Sequence, residues 1–203
     1  MGRLGAVTVL AIDTSSLRRT VAVAATREGG LIRAEVRIGA RVDESLPPIV
    51  AALIDPAPEA VVVVTGPGSY TGLRAGMAAA LGVAHTLGVP LHGVGALQVV
   101  ASGVADRPSR LWAAADAGRD GVFLAECEAA VEGWRSGTPR RVSTLALAGE
   151  VAASPGVRVA SCDPLLAEDL IAVDPAVGLA GAVAGSLATD PLRAAGLSAE
   201  YLP

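Results

Sequence analysis

The chain has 203 residues, of which 52% are hydrophobic and only 2% aromatic, so its core must be built from Ala, Val and Leu. All 16 basic residues are arginine, and the absence of lysine excludes a Schiff-base lysine and a Walker-type phosphate loop. The net charge of -4 argues against a chain that binds nucleic acid by itself. Two cysteines are too few for a disulfide-framed secreted fold and favour a reduced, cytoplasmic setting.

The first sixty-odd residues predict three strands, a helix and a fourth strand. Apolar runs predict strands at residues 7–13, 20–26 and 31–38, and the third alternates apolar with charged residues, which indicates one wet face. Apolar residues at helical spacing predict a helix over residues 45–54, with two prolines in its first turn. The fully apolar run at residues 60–65 is typical of a central strand with both faces covered.

No charged residue occurs between Arg74 and Asp106, a span long enough to cross a bilayer. The stretch is rich in Ala and Gly, however, and it contains His85, Pro90 and His92. A buried helix to about Leu87, a strand at residues 91–93 and a second helix explain it better. Three meandering strands followed by alternating helices and strands predict an α/β fold with a mixed sheet.

The segment at residues 105–109 is the best candidate for a domain boundary. We therefore expect an N-terminal domain at residues 1–107 and a smaller second domain at residues 108–203. The second domain is predicted to have strands at residues 111–116 and 122–126 and a helix at residues 176–189. Whether its C-terminal segment packs back on the first domain stays open.

Three loops that follow apolar strands are candidates for phosphate binding, because hydroxyls and backbone N–H groups in such turns can face an anion. Two of them are the turn of Asp13, Thr14 and Ser15 and the turn that begins at Asp116; both can equally be ordinary turns that satisfy their own backbone. The third is GPGSYTGLR at residues 66–74, a tight strand-to-helix turn. Its alternative interpretation is a packing turn with an N-cap. Its candidate residues are Gly66, Gly68, Ser69, Thr71 and Gly72.

The helix after GPGSYTGLR has an apolar face that includes Leu73, Met77 and Ala80, while its other faces carry mainly Ala and Gly. A surface helix normally shows a charged stripe, and this one shows none. It is therefore either enclosed within the domain or covered by another subunit.

Metal and nucleophile sites can be tested by counting residues. The two histidines, His85 and His92, have no second His or Cys at ligand spacing, so no metal site is predicted. No Ser-His-Asp triad can be placed either.

Three motifs together resemble the TsaB (YeaZ) family, a subunit of bacterial tRNA threonylcarbamoyladenosine biosynthesis historically grouped with glycoprotease-like, peptidase M22 proteins. They are LAIDTS at residues 10–15, GPGSYTGLR at 66–74 and GVGAL at 93–97, and the likeness fades beyond Phe123. The resemblance implies two ribonuclease H-like domains of the actin, Hsp70 and sugar-kinase type, with mixed sheets and a smaller, degenerate second domain.

The same resemblance implies a non-catalytic subunit that binds and stabilises the catalytic homologue TsaD, together with the ATPase TsaE. It implies contact with tRNA only through that complex, and a homodimer of the free chain stays open. No membrane association is expected, because buried helices explain the uncharged stretch better than a bilayer span does. The resemblance implies no metal and no cofactor of the chain's own, with ATP conceivable only at a subunit junction. The implied partner-binding residues lie on the first two helices: Leu46, Ile49, Val50, Leu53, Arg74, Ala75, Ala78, Ala79 and Gly82.

Two other functions remain as alternatives. One is a small ATP-dependent phosphotransferase of the same superfamily, which would use Asp13 and Asp116 at two phosphate loops. The other is a peptidase, which is the weakest because no nucleophile–base pair can be placed.

Overall fold

The computed structural model describes residues 8–154, 156–163 and 170–192, which form two mixed β-sheets and six helices. The first sheet has the strand order β3-β2-β1-β4-β5. The first three strands are antiparallel neighbours, whereas β1, β4 and β5 run parallel. These strands are β1 (Thr8–Asp13), β2 (Arg19–Thr26), β3 (Leu31–Ile38), β4 (Ala60–Gly66) and β5 (Leu91–Gly95).

The second sheet repeats this arrangement. Its path is β11-β10-β6-β7-β8, with an antiparallel β6-β7-β8 meander and parallel β6, β10 and β11, while β9 pairs with the other end of β7. The last four strands have only two to four residues each, so this sheet has more strands than the first but most of them are shorter. The strands are β6 (Arg110–Gly118), β7 (Gly121–Ala130), β8 (Gly133–Ser136), β9 (Arg140–Ser143), β10 (Val159–Ser161) and β11 (Ile171–Ala172).

The predicted α/β class with two mixed sheets is confirmed, and the predicted strands of the first half lie where the patterns placed them. Residue 7, the first of the predicted opening strand, lies outside the described residues. The apolar run of β4 is central, as expected, with its four valines fully buried. Within the described ranges, no helix is long and apolar enough to span a membrane.

Helices cover both faces of the first sheet. On one face α1 (Val42–Leu53) and α2 (Tyr70–Leu87) contact each other, and on the other face α5 (Pro175–Gly181) packs on β1, β2 and β3. Next to α5, α6 (Val183–Leu187) packs on β4 and β5. A segment from the end of the described chain therefore covers the first sheet.

The helix predicted at residues 176–189 is in fact two short helices, α5 and α6, separated at Ala182. Asp174 caps α5 by accepting hydrogen bonds from the N–H groups of Ala176 and Val177, with Pro175 in the first turn. The apolar pattern predicted the helical content correctly, but it contained no signal for the break.

The charged residues Arg33 and Arg37 of β3 are exposed, as the prediction of one wet face requires, but apolar residues of this strand are exposed as well. Leu31, Ile32 and Ile38 expose 44%, 46% and 79% of their surface. As the outer strand of its sheet, β3 lacks a neighbour on one side, and Val36 is the apolar residue of its predicted inner face that packs on the core.

The helix α3 (Ala96–Ser102) lies between the two sheets and contributes to both cores. Ala96 and Val99 belong to the core of the first sheet, whereas Leu97 and Val100 belong to a core of the second. The fourth helix, α4 (Thr144–Ala153), inserts Leu147 into a separate core on the second sheet. The two sheets therefore share one helix as a common packing element.

We expect the buried ring of His92 on β5 to make stability depend on pH. Burial lowers the pKa of His92 below its usual value of 6.5, and the nearby backbone of Thr189 and Ser186 offsets this shift only in part. The unfolded chain then binds the proton more readily, so the free energy of unfolding falls as the pH drops below about 6.5. Urea denaturation of the wild type and of His92→Gln at several pH values will measure this difference.

The exposed His85 on α2 offers a matched control, because His85→Gln removes the other histidine of the chain. We expect His85→Gln to keep the wild-type dependence on pH and His92→Gln to have a shallower one. Identical slopes for the wild type and His92→Gln would contradict this role of His92.

Candidate functional site

The loop after β1 and the loop between β4 and α2 are hydrogen-bonded to each other. The N–H of Ser69 donates to the carbonyl oxygen of Ser15 at 2.7 Å, and the hydroxyl of Thr14 donates to the carbonyl oxygen of Gly72 at 2.7 Å. Ser69 is also the N-cap of α2, since its hydroxyl accepts from the N–H of Gly72. The two candidate loops therefore form one packed unit.

Three glycines allow this close approach. A Cβ atom at Gly68, Gly72 or Gly76 would lie within 3 Å of an atom of Ser15 or Thr14, a separation that real Cβ atoms essentially never show. Gly68 and Gly72 would meet backbone oxygens, which cannot move aside as a flexible side chain can. The glycines spaced through residues 66–76 thus allow this segment to pack directly against the backbone of the loop after β1.

We expect Gly72→Ala to destabilise the fold, because the added methyl overlaps the carbonyl group of Thr14. The free energy of unfolding should fall by about 1–3 kcal/mol, the usual cost of forcing extra atoms into a packed site. Gly82→Ala on the same helix is the matched control, since its Cβ meets no atom within 4 Å and gains up to about 1 kcal/mol of helix propensity. Urea denaturation of both variants gives the comparison, and equal stabilities would contradict the packing role.

The carboxylates of Asp13 and Asp116 are both engaged by their own turns. Asp13 accepts hydrogen bonds from the N–H and the hydroxyl of Ser15 at 2.8 and 2.6 Å, and Asp116 accepts from the N–H of Gly118 at 2.7 Å. The cavity between these turns is only about 10 Å³, roughly the volume that one water needs. The structure therefore brings the predicted phosphate-loop residues together, in an arrangement that holds no phosphate-sized space between the two aspartates.

The α1 part of the predicted partner interface needs correction. Leu46, Ile49, Val50 and Leu53 are all buried in the core of the first sheet. The apolar stripe that predicted the helix faces β2 and β3 of the same chain. The exposed residues of α1 are instead the acidic pair Asp43 and Glu44 in its first turn, followed by Pro47, Pro48, Ala51 and Ala52.

The α2 residues of the predicted interface are accessible. Arg74, Ala78 and Gly82 are exposed, and Ala75 and Ala79 are half-buried. The helix is therefore packed on the sheet by one face only, with its other face uncovered. We call a set of exposed residues on the two helices, next to the acidic first turn of α1 at Asp43 and Glu44, the α1–α2 surface: Pro47, Pro48, Ala51, Ala52, Arg74, Ala78, Gly82 and His85.

One exposed cation on this surface is held in place. The guanidinium of Arg74 donates a hydrogen bond of 2.6 Å to the hydroxyl of Tyr70 and lies 5.2 Å from the centre of its ring. This pair stands at the start of α2, and the rest of the helix has no acidic, lysine or further arginine residue. Most of the α1–α2 surface is therefore uncharged and formed by small side chains.

An ion pair that the sequence did not predict joins the two sheets. Arg19 on β2 contacts Asp163, which follows β10, at 3.0 Å, and the same guanidinium donates to the carbonyl oxygen of Cys162 at 3.1 Å. Asp163 also accepts from the N–H of Asp116 at 3.1 Å. Because Arg19 and Asp163 are 144 positions apart, no local pattern could have paired them.

Both cysteines, Cys127 and Cys162, are free and buried. Burial raises the pKa of Cys127 to about 11 and that of Cys162 to about 12. Both therefore remain protonated thiols near neutral pH, a form with little nucleophilic reactivity.

A second cavity, of about 730 Å³, opens between the two sheets beside this ion pair. Its walls come from the start of β2, the end of β3, the β6–β7 turn and the segments that follow β10 and β11. The residues are scattered along the chain, so sequence analysis could not assemble them into one site.

The comparisons with known proteins point to one family. Residues 44–146, about half of the chain, match the family described as TsaD, tRNA N6-adenosine threonylcarbamoyltransferase. An uncharacterized protein of Mycobacterium tuberculosis strain H37Rv is 39% identical over 107 residues, covering 49% of this chain and 51% of that protein. The tRNA threonylcarbamoyladenosine biosynthesis protein TsaB of Bacillus subtilis is 38% identical over 103 residues, covering 47% and 44%. The matches thus span about half the length of these curated relatives.

The fold agrees over almost the whole chain. YeaZ from Pseudomonas aeruginosa superposes with a TM-score of 0.73 at 23% identity, covering 96% of this chain and 99% of that one. A second Pseudomonas aeruginosa structure, of an uncharacterized protein similar to YeaZ, gives a TM-score of 0.67 at 23% identity. The chain belongs to the family described as TsaD, tRNA N6-adenosine threonylcarbamoyltransferase, and it is similar to TsaB and YeaZ proteins.

Proposed function

We propose that the chain is the non-catalytic subunit of the complex that forms N6-threonylcarbamoyladenosine in tRNA, and that it binds a TsaD-like homologue through the α1–α2 surface. Family membership supports the pathway. The observation that carries the docking face is α2 itself, an 18-residue helix whose exposed side has small residues and no acidic group.

Physical chemistry favours such a surface for helix-on-helix contact. Ala78 and Gly82 lie four residues apart, which is one helical turn on the same side, and neither carries a bulky side chain. A partner helix can therefore approach the backbone of α2 closely, and no buried charge opposes its docking over most of the face. A stable interface needs about 800 Å² from each partner, so α1 and α2 would have to act together.

The wider assembly follows from the same proposal. A TsaE-like ATPase joins the two homologues, tRNA is reached only through the complex, and the free chain pairs with a second copy through the same surface. The setting is the cytoplasm, where tRNA is modified. Any ATP would lie at a junction between subunits, because the loops at Asp13 and Asp116 are packed together.

No observation favours the alternative of an ATP-dependent phosphotransferase. Such an enzyme needs Asp13 and Asp116 to face a phosphate chain. Each carboxylate instead accepts hydrogen bonds from its own turn, and the cavity between the two turns measures only about 10 Å³. Calorimetry of the isolated chain with Mg-ATP, and of Asp13→Ala, separates the two functions. Binding tighter than about 1 mM that disappears in the variant would favour the phosphotransferase.

We expect Gly82→Arg to fold normally and to lose its TsaD-like partner. A Cβ atom at this position meets no atom within 4 Å, so the side chain can leave the helix freely, yet a guanidinium there would become buried and unpaired in a helix-on-helix interface. Affinity should fall at least about tenfold, corresponding to about 1.4 kcal/mol. Co-purification and calorimetry with the TsaD-like homologue from the same host provide the measurement.

Gly149→Arg is the matched control, since Gly149 lies within α4 on the second sheet and its Cβ position is equally open. Binding by Gly149→Arg but not by Gly82→Arg supports the α1–α2 surface. Equal binding by both variants would reject this docking face, even if the chain still acts in the pathway.

The pathway assignment has its own test. Depletion of the chain in its host should lower the N6-threonylcarbamoyladenosine content of bulk tRNA, measured by mass spectrometry of nucleosides. Re-expression of the wild type should restore the modification, and Gly82→Arg should restore less of it than Gly149→Arg. An unchanged nucleoside content after depletion would exclude the proposed function.

A further inference from the structure

The 730 Å³ cavity between the sheets has the position of a ligand site. The strands β6, β10 and β11 run parallel, and the segments at their carboxyl ends, which include Asp116, Asp163 and Asp174, all line it. In open α/β sheets, ligands bind in the crevice outside the carboxyl ends of parallel strands. The first sheet closes the opposite wall with Val36 and Ile38 of β3.

Size and lining agree with a small organic molecule. Cavities that bind such ligands measure about 300–1,000 Å³ and are mostly apolar, with a few polar groups that orient the ligand. Here Val36, Ile38, Val173 and Pro175 supply apolar wall from both sheets. Ile38 exposes 79% of its surface and lies in this wall, so an occupant would cover it.

Three of the four carboxylates around the cavity are already satisfied. Asp163 binds Arg19 and the N–H of Asp116, and Asp116 accepts from the N–H of Gly118. Asp174 caps α5. The fourth, Asp120, lies in the exposed β6–β7 turn. Three of these carboxylates are therefore engaged within the chain, whereas the carboxylate of Asp120 makes no hydrogen bond or ion pair to the described residues.

Several guanidinium N–H donors around the cavity lack an acceptor within the described residues. Arg18 makes no side-chain hydrogen bond to the described residues, its one ion-pair contact is 3.6 Å to Asp116, and its side chain is 64% exposed. Arg119 makes no hydrogen bond or ion pair within residues 8–154, 156–163 and 170–192. The Nε of Arg19 is buried and also has no partner there. Guanidinium groups carry only donors, so these residues are suited to acceptor oxygens.

We propose that this cavity binds an organic anion, a molecule with a planar or apolar body that carries one carboxylate or phosphate group. The body packs between the apolar residues of the two sheets, and the anionic group is bound by Arg18 and Arg119. This site goes beyond the proposed function, because it lies apart from the α1–α2 surface and does not require a TsaD-like partner.

A matched series of probes tests the proposal on the full chain. Calorimetry with 2-naphthyl phosphate, 2-naphthoate and 2-naphthol varies the anionic group on a constant planar body, and inorganic phosphate supplies the anion without the body. We expect either naphthyl anion to bind at least about tenfold more tightly than both 2-naphthol and inorganic phosphate. The two naphthyl anions distinguish phosphate from carboxylate recognition. Equal affinity for 2-naphthol, equal affinity for inorganic phosphate, or no binding at all would overturn the proposal.

Variants of the cavity residues test whether the anion binds in this cavity. The double substitution Arg18→Gln with Arg119→Gln should weaken the preferred anion at least about tenfold, whereas Arg135→Gln on β8, outside the cavity, should not change it. Ala172→Trp should abolish binding without loss of fold, because Ala172 is an exposed residue of the cavity wall and the indole would occupy the space. Full binding by these cavity variants would overturn the site. Gly82→Arg should bind the anion as the wild type does. That outcome would show that the cavity site is independent of partner docking through the α1–α2 surface.

Discussion

The close approach of two backbones, the loop after β1 and the loop before α2, is the constraint on which the rest of the first half depends. Thr14 and Ser15 contact Gly68, Gly72 and Gly76 at distances that exclude any Cβ atom. Hydrogen bonds in both directions then fix the first turn of α2 against the sheet. Since the helix is rigid beyond its first turn, this contact determines which of its faces meets the core and which faces outwards.

The same packing explains why the polar residues of these loops are weak candidates for chemistry. Hydroxyls and a carboxylate that could face a phosphate are instead used within the chain, as in the bonds of Asp13 to Ser15. Two other places are open to a binding partner, the outside of α2 and the cavity between the sheets. The first place has little charge and small side chains, whereas the second has unpaired guanidinium groups, so the two would select different kinds of ligand.

Sequence patterns predicted a helix or strand correctly where residues within that element are sufficient to identify it. The valines of β4 predict a buried strand, and Ser69 marks the start of α2. The patterns did not show what depends on neighbours. Ile38 alternates like a core residue, but β3 has no strand beyond it. The apolar stripe of α1 was predicted as an interface, although it fills the chain's own core, because periodicity shows which residues share a face and not what covers them.

The helix α3 has a consequence for how the molecule unfolds. Its neighbours Val99 and Val100 belong to different cores, so melting of either core exposes apolar surface of the other. A predicted domain boundary near residue 107 divides the polypeptide into two parts. The free energy of unfolding of one part nevertheless depends on whether the other part is folded. Both tryptophans lie on strands of the second sheet, Trp112 on β6 and Trp134 on β8. Because α3 packs on both cores, unfolding of the first sheet also disturbs the second core. The fluorescence of the two tryptophans therefore changes when the first sheet unfolds.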